Sequence, residues 1–118
     1  GRAAISHSSP DYAIRDNQTN TIKNELSNVI ALKAIGYLQG AHDLRLDADG
    51  NMVDCSADYF HDLSEGWGFI LSLQYTDWYT NSEVNTMLSD LEAGNGFWDR
   101  TPAELEAMIN AIKAKTGL

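Results

Sequence analysis

Along most of this chain apolar residues return every three or four positions, the period of helices that bury one side, and no segment shows a convincing strand alternation. Four helices are predicted. The first runs from about Asn20 to Asp43, with Thr19 or Thr21 near its start and Ile22, Leu26, Val29, Ile30, Ile35 and Leu38 as apolar positions. Between Glu25 and Asp43 its only full charge is Lys33, which predicts a central helix with neighbours on most sides. Gly36 and Gly40 lie four apart and let another backbone come close, at about 1 kcal/mol of helix propensity each. Asn24, Asn28, Gln39 and His42 share one narrow sector of this helix, a stripe that either meets loops and water or lines a polar site.

The second helix is predicted from Ser56 to Tyr75, with Ser56 as N-cap and Asp58 in the first turn, where the helix dipole favours an anion. It is the most aromatic stretch and the expected structural centre. Tyr59, Phe60, Leu63, Trp67, Ile70 and Leu73 cover a wide apolar arc, while His61, Glu65, Gly68 and Ser72 stack into a polar or small stripe on the other side. A short third helix, capped by Asn81 or Ser82, carries Val84, Met87, Leu88 and Leu91 and stops at Gly94 and Gly96. The fourth opens on Thr101-Pro102-Ala103-Glu104, a capping-box start, buries Leu105, Met108, Ile109 and Ile112, and ends through Lys113, Lys115 and Gly117. The fold class is therefore all-α, a single domain over residues 1–118 built as a roughly up-and-down bundle of about four helices.

The connections add detail. His7 to Asn20 is polar, holds Pro10 among turn-forming residues, and is predicted to be a loop; Asn17-Gln18-Thr19 within it fits the glycosylation triplet. Gly1 to Ile5 reads as the end of an apolar helical turn, as if the chain were the C-terminal fragment of a longer protein whose remaining helices lie upstream or on another chain. Asp49-Gly50 is predicted to form a tight turn with short extended arms, Arg45-Leu46 and Met52-Val53. A calcium loop does not fit here. With Gly50 at its sixth position, Arg45 would stand at the first, where an oxygen ligand is needed, and Ser56 at the twelfth in place of a bidentate Glu. Phe97 and Trp98 are expected to plug one end of the bundle.

Charge narrows the partners. At −9 formal charge and an isoelectric point near 4.5, with Lys and Arg scattered singly, the chain lacks the basic patch that nucleic acid or an anionic membrane surface requires. No stretch approaches the roughly 18 apolar residues of a membrane span. The lone Cys55 has no partner for an intrachain disulfide and is expected to be a small buried hydrophobe.

The candidate chemistry is a metal site. His61 and Glu65, four apart on one helix, offer an imidazole and a carboxylate on one side; two ligands are too few, and a third would come from His42, Glu25 or Asp62. The second His of the His-Glu-x-x-His zinc helix is missing, and Ser64, three residues from His61, has no nucleophile elbow.

Three runs carry a resemblance: Gly1-Arg2-Ala3-Ala4-Ile5, Asn24-Glu25-Leu26 through Gly36-Tyr37-Leu38, and His61-Asp62-Leu63-Ser64-Glu65-Gly66-Trp67-Gly68-Phe69-Ile70. They resemble the C-terminal part of an uncharacterised lipoprotein family of Bacteroidota that looks related to the imelysin group, helical cell-envelope proteins associated with iron uptake and named in places as metallopeptidases. The resemblance implies an imelysin-like bundle, a place in the cell envelope (periplasmic or lipid-anchored) and a divalent metal or iron as ligand. The imelysin motif Gly-x-His-x-x-Glu has its nearest match in Gly40-Ala41-His42-Asp43-Leu44-Arg45, where arginine replaces the glutamate and can neither ligate a metal nor act as a base.

The expected function is a non-catalytic cell-envelope binding protein that holds metal or an iron-containing ligand. Two alternatives stand beside it. One is a metallopeptidase-like hydrolase whose main motif lies in an N-terminal part; the other is a structural helical interaction module, packing against that part or against a second copy.

Overall fold

The computed structural model describes residues 11–118, so the expectations for Gly1 to Ile5 and for the segment from His7 to Pro10 lie outside the described residues. Within them the chain folds into four α-helices and no strand: α1 (Tyr12–Asp43), α2 (Ala57–Ser72), α3 (Asn81–Glu92) and α4 (Pro102–Thr116), with 3-10 turns at Leu73–Tyr75 and Gly96–Asp99. The all-α bundle is the observed architecture.

α1 begins eight residues before its predicted start. Asp11 caps it, accepting a hydrogen bond from Ile14 N at 3.0 Å, and the polar stretch from Tyr12 to Asn20 is helical rather than a loop. The physical reason is position. Pro10 precedes the cap, where its missing N–H removes no helical bond, and an exposed extension of an established helix needs no apolar face. Thr19 and Thr21 turn their hydroxyls back to Arg15 O and Asn17 O at 2.9 and 3.0 Å, satisfying themselves within the helix.

The burial pattern of α1 also departs from expectation. Its buried positions are Ser27, Ala31, Ala34, Leu38 and Ala41, while Ile22, Leu26 and Val29 face solvent and Ile30 and Ile35 are partly covered. Small residues make the contact line because they let α2 and α4 lie close to the α1 backbone. Neighbours cover only the C-terminal half of α1; every residue from Asp11 to Leu26 is exposed. A 32-residue helix is about 48 Å long, so it stands out from the body. The radius of gyration records this, at 18.3 Å against about 13 Å for a compact chain of this length.

α2 matches its prediction closely. Ser56 caps it through Tyr59 N at 3.1 Å, and Tyr59, Leu63, Ile70 and Leu73 are fully buried at the centre of the core. It runs antiparallel to α1: Tyr37 stacks on Phe69 with ring centroids 5.6 Å apart, and Gly66 faces the Tyr37–Leu38 turn. α3 follows α2 and buries Val84, Leu88 and Leu91. Its cap is Thr80, not Asn81 or Ser82, because only Thr80 stands three residues before Glu83 and so completes a capping box. α4 starts with the predicted Thr101–Glu104 box and ends at Gly117, which takes the left-handed φ of 73° that its exit turn needs. It packs against α1, and Lys115 near its end pairs with Glu83 at the start of α3, closing the bundle.

Between α1 and α2 the predicted turn is present. Leu46 and Met52 form an isolated antiparallel bridge, Asp47 N donates to Asn51 O at 2.9 Å, and Gly50 has φ 81°. The Asp47 carboxylate accepts from the backbone N–H groups of Asp49 and Asn51, and these backbone bonds hold its pKa below the usual value.

Candidate docking face and the predicted metal donors

The predicted donors are spread over the surface. Glu25 is exposed on the projecting half of α1, and His42 lies half-buried in its last turn. His42 Nδ1 is 2.8 Å from Asp43 Oδ1, and Gln39 Nε2 donates to the same oxygen at 2.9 Å. These two hydrogen bonds, His42 first, lower the Asp43 pKa. His61 and Glu65 are exposed on α2, and Ser72 Oγ in the same stripe donates to Gly68 O at 3.0 Å. That stripe looks outward. The α2 side chain that meets α1 beside Gly40 is Asp62, not His61 or Glu65. Among the described residues no three His, Cys, Asp or Glu side chains gather closely enough to hold an ion, so His61, Glu65, His42 and Glu25 are not brought together. The polar sector of α1 is divided as well: Asn24 and Asn28 line a small hollow with Ser27, Asp77 and Trp78, whereas Gln39 and His42 form their own cluster with Asp43.

The most conspicuous surface lies on α1 itself. Ile22, Leu26, Val29 and Leu32 are 56%, 58%, 52% and 54% exposed, with Ile14 further out at 47%. Positions 22, 26, 29, 33, 36 and 40 follow alternating steps of four and three, the spacing of a seam that packs along another helix. Beside its C-terminal end lies an open groove of about 530 Å³ lined by Val29, Leu32, Lys33, Gly36, Tyr37 and Asp62. The period was legible in the sequence. What covers it is not, because a shared period places Ile22, Leu26 and Val29 on one side of the helix without naming a neighbour.

Two buried arginines organise the opposite end of α2, and sequence reasoning missed both. Arg45, only 6% exposed, donates through Nε to Val53 O at 2.8 Å and through Nη1 to Arg100 O at 2.6 Å, with its guanidinium 5.1 Å from the Tyr59 ring centre. Arg100, 8% exposed, donates to Asp90 O and, at 2.8 Å, to Ala93 O, the carbonyl end of α3, and pairs with Glu104 at 3.2 Å. A cation at a helix C-terminus satisfies carbonyls that the helix leaves open. Tyr59 completes the clamp by donating its hydroxyl to Phe97 O at 2.7 Å, and burial pushes its pKa up. Trp98 does not plug the bundle. It is 66% exposed and meets Phe60 edge-on at 4.5 Å, while the half-buried Cys55 points its thiol toward Trp98 O at 3.8 Å. The flanking apolar residues in Leu44-Arg45-Leu46 were the available signal that this arginine is drawn inward.

The molecule is thus an all-α bundle domain whose first helix stands out from the body with an open apolar face. More particularly, the chain belongs to the DUF4856 family: the model of that domain of unknown function matches residues 1–118. No curated protein and no solved structure is significantly similar to it. No helix among the described residues is long and apolar enough to cross a membrane.

Proposed function

We propose that this domain is a non-catalytic helical interaction module that works by burying the open face of α1 against another helix. The observation that carries the reading is the row Ile22, Leu26, Val29 and Leu32, each more than half exposed on one helix. Complete burial of such a side chain is worth about 1.5–3 kcal/mol, so covering the exposed half of four gives about 3–6 kcal/mol before the cost of association. The metal-binding reading draws less support, because among the described residues the donors it needs sit apart on the surface of α1 and α2. A setting in the cell envelope rests on the resemblance of the Gly1–Ile5, Asn24–Leu38 and His61–Ile70 runs to imelysin-like proteins.

A photo-crosslinking residue placed at Leu26 in the native host tests the reading, with the exposed Asn110 of α4 as control position. A discrete adduct from position 26 and none from position 110 is expected. Equal labelling at both, or none at position 26, would refute a docking role for this face.

A further inference from the structure

Both halves of a self-complementary joint lie on the same face of α1. The N-terminal half of the seam is an uncovered aliphatic row, with Ile22, Leu26 and Val29 all exposed. The C-terminal half is hollow: a Cβ on Gly36 would meet no other part of the fold within 4 Å, and the groove beside it holds about 530 Å³ between Leu32, Lys33, Tyr37 and Asp62. From Leu26 to Gly36 the axial separation is about 15 Å at 1.5 Å per residue. A ridge and a hollow on one helix face fill each other, twice over, when two copies run in opposite directions about a two-fold axis.

We propose that the occupant of this face is a second copy of the chain, docked antiparallel through α1 with the dyad level with Ala31. The proposal rests on the reading of α1 as the working surface. In this register Leu26 of each copy seats over the partner's Gly36, and Val29 lies along the aliphatic stem of the partner's Lys33. The same register carries Glu25 to within about one helical turn of the partner's Lys33, so opposite charges meet. A parallel pair would instead align Glu25 with Glu25 and Lys33 with Lys33.

The distribution of charge favours the same arrangement. The chain has eight Lys and Arg against seventeen Asp and Glu, and α1 holds three of each: Arg15, Lys23 and Lys33 against Asp16, Glu25 and Asp43. α1 is therefore neutral, and the whole −9 resides elsewhere. Two copies that touch through their neutral helices in opposite directions hold their acidic bodies further apart, and repel less, than a parallel pair would.

Light scattering on the purified chain at tens of micromolar is the test, with folding followed by circular dichroism. The wild type is expected at twice the 13.0 kDa chain mass. Gly36→Leu places a side chain in the open groove, where its Cβ meets nothing within 4 Å, so it is expected to keep full helicity and run as a monomer; Leu26→Asp is expected to do the same. In a Cys55→Ser background, mixing a Leu26→Cys chain with a Gly36→Cys chain should yield the mixed disulfide in excess of either self-pair. A folded wild type that stays monomeric, a Gly36→Leu variant that stays dimeric, or a dominant 26–26 disulfide would overturn the proposal. A folded monomer that still gives the position-26 adduct with a different protein would reject the second copy and leave the docking face standing. A folded monomer with no adduct would reject both.

Discussion

Replacing Arg45 by alanine removes the centre of the clamp that joins α2, the Met52–Val53 arm and the loop before α4. Two charge-assisted hydrogen bonds disappear, to Val53 O and Arg100 O, each worth about 1.5–3 kcal/mol, and with them the cation over the Tyr59 ring, worth about 0.5–2 kcal/mol. The carbonyls left behind regain water only in part, since Arg45 is 6% exposed and its surroundings are closed. The total expected loss is about 3.5–8 kcal/mol, a large fraction of the 5–15 kcal/mol that stabilises a domain of this size. Urea unfolding followed by far-ultraviolet circular dichroism measures it. Arg15→Ala serves as control, because that guanidinium is exposed, pairing with Asp16 and lying 4.5 Å from the Tyr12 ring centre, and its loss is expected to cost no more than about 1 kcal/mol. Arg45→Lys should fall between, keeping the charge but not the two-pronged geometry. An Arg45→Ala variant within about 1 kcal/mol of wild type would refute the reasoning that the buried arginine holds this end together.

Other expectations are simpler to state. Thr101→Ala removes the hydroxyl that accepts from Glu104 N, and the urea midpoint should report a loss of about 1 kcal/mol. Glu83 has its pKa lowered from 4.5 to about 2 by Lys115 and by the Thr80 cap, so its contribution to stability is complete above pH 4.5 and disappears as pH falls toward 2. Urea midpoints of wild type and Glu83→Gln should therefore differ at pH 6 and converge near pH 2; a gap that persists unchanged would contradict the assignment. His61→Ala and Glu65→Ala should leave the metal content of protein purified without chelator unchanged, as measured by elemental analysis, and a loss of stoichiometric metal in either would restore the metal reading.

Much of this fold is legible in the residues. The boxes at Thr101–Glu104, the Ser56 cap and the aromatic arc of α2 act locally, and each works out as written. The errors came where local pattern does not determine the outcome. Tyr12 to Asn20 has no apolar period because an exposed helical extension needs none, so its polarity is that of a loop although it is helical. Ile22, Leu26 and Val29 have the period of a buried face, but periodicity shows that residues share a side without showing what covers that side. The buried contacts of α1 were instead made by Ser27, Ala31 and Ala34, whose small size gives little hydropathy signal while allowing close helix packing. Spacing likewise places His61 and Glu65 on one stripe of α2 without showing which way the stripe faces; it is exposed, and among the described residues no three donors gather. The burial of Arg45 and Arg100 is not written in local pattern, because their carbonyl partners lie 7 to 55 residues away along the chain.

The central claim is that the exposed row on α1 is covered in the protein's working state. Single cysteines at Ile22, Leu26, Val29 and Leu32 in a Cys55→Ser background, probed with a maleimide in the native host and again after denaturation, test it most directly. All four are expected to be shielded natively and to react fully once denatured, while a cysteine at Asn110 reacts in both states. Free reaction at all four positions in the native host would contradict the account.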